Sequence, residues 1–459
     1  MHQPKSIHHL RSQTWLVVFG AIWALTLSQP TLAIELELVD DYRWDEVAPD
    51  DPERAARFGH SIATDGEWAV ISANLADDRD GRLVLFQVAD SGRPWRLIKP
   101  LTLPSGRRNC FQVGERLFIE GDWLVSVNGT TGTAESCRPF IYGRNEGGMG
   151  NWGLVGILPE PGDITDFVRA GAWSDVSISG EFMAIGRSGT AFIGDTQVNS
   201  LGEVAIHQRD AGGANNWGEI AMITAPRDQW VNQANFGLRV ALEGDLLLVG
   251  SARYSDDSFG STGRAWLFER NLGGANNWGL RKTFPGPRPG DNAGFGDDLD
   301  IEADMIAIAG AAGDLTPNTS NDRAVYMFLR NEGGSNNWGL VDEVLPNPLN
   351  SGFGGLIQMT GNLMLVGDGS GVFNSNGAWL YQRAGNLWPL RQSFLQADTN
   401  EPEPELFRSL GQSAGLGVRG TRTVAIVGDV GFELVNAGAR IGKAFFFEFD
   451  DGLFSDSFE

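Results

Sequence analysis

A chain of 459 residues, 42% hydrophobic and 20% charged, is globular, and its 61 glycines signal an excess of turns over the usual ~7% share of that residue. The 15 Trp and 26 Phe exclude a disordered chain, and no Gly-X-Y period supports a collagen-like one. With 35 Lys and Arg against 58 Asp and Glu, a net charge of −23, no nucleic-acid partner is expected, because sequence-independent phosphate binding needs clustered cations.

Residues 1–33 contain no acid, carry Lys5 and Arg11 near the start, and then run through Trp15, Leu16, Val17, Val18 and Phe19 to Leu27. This reads as a cleaved signal peptide, with small residues Thr31 and Ala33 at the −3 and −1 positions, so that the mature chain begins at Ile34. The apolar run is shorter than the ~20 residues a bilayer requires, and no later stretch is long enough, so no membrane span is expected. The expected location is secreted, periplasmic or cell-surface. Removing Lys5 and Arg11 leaves 33 basic and 58 acidic residues, a mature charge of −25. Only His60 and His207 remain outside the leader, which argues against a histidine-based zinc site or proton relay.

Two signatures then recur along the chain. A turn followed by an apolar strand begins at residues 66, 121, 180, 244, 303, 361 and 420, a mean period of 59. Behind it comes a Gly-Gly-x-Asn-Asn-Trp-Gly segment, at Gly212–Gly218, Gly273–Gly279 and Gly333–Gly339, more loosely at Gly147–Gly153, with Trp95 and Trp388 in shortened turns. Within the fourth unit the pattern predicts strands at Phe236–Leu242, Leu246–Gly250, Arg264–Arg270 and Trp278–Phe284. Seven four-stranded units over residues 34–450 predict an all-β, seven-bladed β-propeller of antiparallel blades, since one blade alone cannot bury both faces of its sheet. The seventh unit lacks a Trp strand, and the alternating segment from Ile34 to Asp40 is free to supply its outer strand and close the ring.

These residues resemble bacterial FG-GAP repeat proteins, a family that includes the propeller headpiece of integrin α chains. Phe58-Gly59, Phe236-Gly237, Phe295-Gly296 and Phe353-Gly354 match the Phe-Gly opening; Leu410-Gly411 is relaxed, and the second and third units have lost it at Phe111 and near Phe167. The resemblance implies the propeller fold and a role in adhesion. Integrin-type repeats also place a calcium loop between the first two strands, but turns such as Asp65-Gly66-Glu67 are too short to supply the six to eight oxygens calcium takes. No cofactor is required on this reading; calcium stays open only at the longer acidic loops and has no support in the repeat turns.

Gly411-Gln412-Ser413-Ala414-Gly415 fits a hydrolase nucleophile elbow, but aligning the units puts Ser413 where Ser61 falls, on a repeat strand. The repeated Trp reads as blade-on-blade packing before it reads as a sugar platform. The second-to-third-strand loops and the inter-blade connections vary among copies and emerge on one face, which marks that face as the working one. Its acids are Asp77, Asp78 and Asp80, then Asp256 and Asp257, with Asp195, Asp314, Asp322, Asp368 and Asp429 elsewhere around the ring. A solvated loop face is the plain reading; the functional one is a cation-assisted or basic-ligand surface, with Asp77-Asp78-Arg79-Asp80 the metal candidate. Cys110 and Cys137 are the only cysteines and are expected to form a disulfide bracing that face. Residues 451–459 form a tail outside the ring.

The expected function is therefore that of an exported, monomeric, non-enzymatic binding module for an extracellular protein or glycan. The alternative is a polysaccharide-active enzyme with paired carboxylates in the central pocket, marked by two inward carboxylates of shifted acidity in one cleft.

Overall fold

The computed structural model describes residues 36–50, 56–89, 94–104, 112–128, 137–159, 167–168, 173–187, 190–193, 196–231, 233–256, 260–286, 294–312, 323–346, 352–369, 377–395, 409–432 and 440–450. The proposed leader and tail, and the Cys110 half of the expected disulfide, lie outside them. Seven four-stranded antiparallel sheets follow one another in chain order. Blade 1 is Phe58–Thr64, Trp68–Ala73, Arg82–Val88 and Trp95–Pro100; blade 2 is Arg116–Glu120, Trp123–Val127, Phe140–Gly143 and Gly153–Ile157. Blade 3 is Trp173–Ser179, Phe182–Arg187, Glu203–Arg209 and Trp217–Ile223; blade 4 is Arg239–Glu243, Leu246–Ser251, Arg264–Arg270 and Trp278–Pro285. Blade 5 is Leu299–Glu302, Met305–Ala311, Arg323–Leu329 and Gly339–Val344; blade 6 is Phe353–Thr360, Leu363–Asp368, Ala378–Gln382 and Leu390–Phe394.

Blade 7 takes three strands from the C-terminal part of the chain, Leu410–Arg419, Arg422–Asp429 and Lys443–Asp450, and its outer strand from Glu37–Arg43. The closure expected from the sequence is thus present. It is fastened on both sides: the Tyr42 hydroxyl donates to Trp95 O at 2.5 Å, and Gln392 of blade 6 exchanges two hydrogen bonds with the Leu36 backbone, at 2.6 and 2.8 Å. Trp95 is fully buried there, its indole N–H donating to Glu448 Oε1 at 2.6 Å.

The repeated Trp of each outer strand lies between blades. Trp152 meets Trp68 of blade 1 at 6.2 Å between ring centroids, Trp217 meets Trp123 at 5.4 Å, and Trp278 meets Phe182 at 6.3 Å. All six, Trp95 to Trp388, are buried, so none offers a ring face to a sugar. The Asn-Asn turn before the Trp has its own logic. The first Asn takes a positive φ, 58° at Asn215 and 57° at Asn276, while the side chain of the second bonds back across the turn, Asn277 Nδ2 to Leu272 O at 2.8 Å.

The Phe-Gly and strand-end glycines explain each other. A Cβ added to Gly250 would lie 2.5 Å from Gly296 O, and one added to Gly367 would lie 2.6 Å from Gly411 O. The glycine ending the second strand of one blade thus touches the Phe-Gly glycine of the next, with the same contact between Gly186 and Gly237 and between Gly428 and Gly59. This corrects one expectation: the first strand of blade 4 starts at Arg239, not Phe236, because Asn235 to Leu238 close a turn, Leu238 N–H donating to Asn235 O at 3.0 Å. Two small sheets, Phe167–Val168 with Thr190–Ile193 and Thr196–Val198, and Ser255–Asp256 with Gly260–Ser261, were not expected.

Candidate functional site

The innermost strand of each blade has no partner strand on its axial side, and its N–H groups must find acceptors. The sequence supplies them from the neighbouring blade. The last residues of the seven innermost strands are Thr64, Glu120, Ser179, Glu243, Glu302, Thr360 and Arg419, directly before the tight turns. Glu120 Oε1 accepts from Gly180 N–H at 3.2 Å, Ser179 Oγ from Gly244 at 2.9 Å, Glu243 Oε2 from Ala303 at 2.6 Å, and Glu302 Oε1 from Gly361 at 2.9 Å. Further along the strands, Ser177 Oγ accepts from Leu242 N–H at 3.0 Å, Asp300 Oδ2 from Met359 at 2.6 Å and Gln358 Oε1 from Leu416 at 2.7 Å. Next come Asp175 Oδ2 with Val240 N–H at 3.0 Å, Asp298 Oδ2 with Ile357 at 2.6 Å, and Ser61 Oγ with Leu117 at 3.1 Å. Each bond runs from one blade to the next, so the ring is stitched along its axis by side chains.

This arrangement leaves an axial channel. Its larger cavity, about 430 Å³, is lined by Glu120, Ser177, Ser179, Glu243, Asp300, Glu302 and Gln358 among others. Burial raises the pKa of Glu120 against the Gly180 hydrogen bond, and burial raises that of Glu243, with Glu302 and Glu120 adding like charge. Burial pushes Asp300 up to about 8, although Met359 and Ile301 N–H groups favour its ionised form. A smaller cavity of about 110 Å³, lined by Ser61, Arg116, Asp175, Ser177 and Asp298, follows along the axis. There burial pushes Asp298 up to about 6 against the pull of Arg239, which it meets at 3.0 Å. Beside it, His60 Nε2 lies 3.1 Å from Glu115 Oε2. Burial would raise Glu115, but His60, Asn74 and Arg116 outweigh it and hold its pKa at about 2.

Several carboxyl groups of raised pKa therefore share one cleft, the mark set for a polysaccharide-active site. Each of them also holds a backbone N–H of the next blade. Glycoside hydrolysis asks more of its pair: an acid free to reach the glycosidic oxygen and a carboxylate facing it.

The loop-face residues singled out from the sequence do not form one cluster among the described residues. Asp77 lies in the short helix Ala76–Arg79, and its Oδ1 meets Arg82 Nη2 at 2.7 Å, with Asp50 on the same guanidinium at 3.3 Å. Asp80 follows that helix, its carbonyl accepting from Val113 N–H at 3.2 Å. The side chains of Asp78 and Asp256 are not described, and Asp257, Asp322, Asp195 and Asp314 lie outside the described residues. Among the described residues no group of three or more His, Cys, Asp or Glu is placed to hold a metal ion. Cys137 is 1% exposed. Ser413 is buried and donates to Gly59 O across the blade 7 to blade 1 interface, as its repeat position implied.

Sequence reasoning missed the channel acids. Their signal was present: the residue before each turn is polar in every unit, although the two residues before it are mostly apolar. Among the described residues no helix is long and apolar enough to cross a membrane.

The seven sheets together define a seven-bladed β-propeller whose last blade is completed by the strand Glu37–Arg43. No family model matches the chain, and no curated protein matches it. Among solved structures, the chain is similar to the WD40 domain of Neurospora crassa Pan2, at 10% identity and a TM-score of 0.48, over 91% of this chain and 96% of that one.

Proposed function

We propose that this chain is an exported, non-enzymatic propeller of the FG-GAP type that binds a protein or glycan at the cell surface or outside the cell. Partner contact falls on the face of the second-to-third-strand loops and inter-blade connections. The observation that carries this reading is the contrast between faces. The opposite face consists of short turns alike from blade to blade, where acids pair with arginines within a blade, as in Arg270 with Asp245 at 2.6 Å, or with the next blade, as in Arg383 with Asp304 at 3.2 Å, whereas the loops of the other face differ in length and sequence. The reciprocal contacts of the Phe-Gly and strand-end glycines support the FG-GAP assignment, because they give that motif a physical reason in this chain.

The test is saturable binding of labelled mature protein, residues 34–459, to bacterial and host-type cell surfaces and their isolated polysaccharides, with and without EDTA. Saturable binding supports the reading. Its loss in EDTA, and in Asp77→Ala with Asp80→Ala, supports a cation bridge at that loop. Absence of binding on every surface overturns it. A Cys110–Cys137 disulfide belongs to the same proposal, and two free thiols in the denatured, unreduced protein would remove it.

The raised pKa values of Glu120 and Glu243 favour a second reading, polysaccharide cleavage in the channel. It predicts new reducing ends from a polysaccharide panel that disappear in Glu120→Gln or Glu243→Gln.

A further inference from the structure

One charged group of the channel is not used by the ring. Arg116, Asp175 and Arg239 stand four residues before the turn-end residue of blades 2, 3 and 4, and Asp298 stands at the same distance in blade 5. Cation and anion thus alternate around the axis. Three of the four are committed. Asp298 takes Arg239 Nε at 3.0 Å and Ile357 N–H at 2.6 Å, Asp175 takes Val240 N–H at 3.0 Å, and Arg239 Nη1 also donates to Leu238 O at 2.9 Å. Among the described residues the Arg116 side chain makes no hydrogen bond and no ion pair; what reaches it is the field of Arg239, Asp175, Asp298 and Glu115. The strongest of these influences is Arg239, a like charge, which with burial lowers the pKa of Arg116.

Arg116 lines the smaller cavity, which shares Leu117, Phe118, Ser177, Asp300 and Gln358 with the 430 Å³ cavity beyond. A guanidinium carries five N–H donors in a rigid fork and no acceptor, and a carboxylate matches that fork with two parallel bonds. Arg116 and Arg239 stand against Asp175, Asp298 and Glu115 at this level, so an approaching anion meets a mixed field in which the two guanidinium groups are the attraction. The larger cavity falls in the size range of small-molecule sites, and Glu120, Glu243, Glu302 and Gln358 present acceptors suited to hydroxyl groups.

We propose that Arg116 anchors an axial site for a small hydroxylated carboxylate, such as an acidic sugar, with its carboxylate on the Arg116 fork and its hydroxylated body in the larger cavity. The site is separate from the loop face, and its fate does not decide the function proposed above.

Calorimetry on the mature chain at pH 7 and low fixed ionic strength tests it, with sodium glucuronate, glucose, sodium acetate and inorganic phosphate as probes. Glucuronate binds saturably, and glucose binds at least about tenfold more weakly, the effect expected for losing a charge-assisted pair. Arg116→Gln loses about tenfold or more for glucuronate while keeping the wild-type circular dichroism, and exposed Arg96→Gln is unchanged. If Arg116→Gln does not fold, Arg116→Lys, which keeps the charge and loses the fork, should still bind glucuronate several-fold more weakly than wild type. Absence of saturable glucuronate binding, or an affinity untouched by these Arg116 variants, overturns the proposal. Acetate or phosphate binding as tightly as glucuronate overturns the hydroxylated body and reduces the site to a general oxyanion pocket.

Discussion

On the turn face of the ring, the residue closing an innermost strand accepts an N–H from the next blade's turn, and the same kind of bond recurs from Glu120, Ser179, Glu243 and Glu302. On the loop face, the second strands end in buried polar groups that differ from blade to blade: Asn74, Asn128, Arg187, Ser251, Asp368 and Asp429. Asn128 Nδ2 holds Arg138 O at 3.0 Å, Asn74 Nδ2 holds Glu115 at 3.2 Å, and Asp429 Oδ1 accepts from Gly431 N–H at 2.9 Å. Asn128 and Asp429 pin the bases of their own loops, and Asn74 reaches instead to the connection that enters blade 2. Recurrence on one face reflects a geometric demand that blades 2 to 5 share, while blade 1 turns its Thr64 hydroxyl to its own Gly66 N–H, and diversity on the other face marks where the fold makes no such demand.

The sharpest way to break this contrast is at a glycine that belongs to the shared geometry. Gly237 has φ 84°, and a Cβ there would lie 2.6 Å from the Glu203 carbonyl oxygen. Gly237→Ala is expected to lose about 3 kcal/mol or more in urea unfolding, combining backbone strain with a backbone clash. A neutral result would mean that the inter-blade contact is soft.

Next in size is a pH effect in the channel. Asp300 has a folded pKa of about 8, far above its ordinary 3.8, so the folded state holds its proton more tightly than the unfolded state. Its contribution is full below about pH 4 and is lost as pH rises through about 8. Asp300→Asn should therefore flatten the fall of stability across that window, while its single amide oxygen leaves one of the Met359 and Ile301 N–H groups without its acceptor and offsets the gain at pH 8, read from unfolding midpoints at several pH values. Asp298, at about 6, and Asp429, at about 7, act in the same direction, so part of the slope survives.

Glu243→Ala removes the acceptor of the Ala303 N–H and should cost about 1–2 kcal/mol, whereas Glu243→Gln, which keeps an acceptor, should stay within about 0.5 kcal/mol of wild type. Equal losses in the two variants would show that charge, not the hydrogen bond, matters at the turn-end ring.

The smallest effect is a gain. Ala303 sits at φ 54° where five other units have glycine at 55° to 59°. Ala303→Gly should stabilise by about 0.5 kcal/mol, relief of left-handed strain offset by glycine's entropy, and Gly244→Ala should lose a similar amount.

The repeating parts of the architecture were legible in the sequence for a physical reason: they recur because each blade meets the same neighbours. The turn glycines, the outer-strand Trp and the unpaired Ile34–Asp40 segment therefore announced blades, packing and closure. Phe236 shows the limit of strand patterning, since the run from Phe236 looks like strand although a turn from Asn235 to Leu238 delays the strand to Arg239. The channel was harder to see. Glu120, Glu243 and Glu302 alternate with core residues and resemble solvated strand ends until the ring closes and brings seven of those ends to one axis. Arg116 carries no local signal, because its meaning depends on Arg239, Asp175 and Asp298, which lie between 59 and 182 residues away in the chain.

The central claim is that partner contact belongs to the loop face and not to the turn face. Two variants that each add one exposed cysteine test it directly, with the unsubstituted protein treated alike as the control for Cys110 and Cys137: Asp77→Cys on the loop face, a site 42% exposed, and Asp245→Cys on the turn face, a site 52% exposed. Each is coupled to a bulky polyethylene glycol maleimide and compared with unlabelled protein for saturable binding to the same cell surface. The account predicts that the label at position 77 abolishes binding and the label at position 245 leaves it intact. Binding that survives the first label and is lost with the second would contradict it.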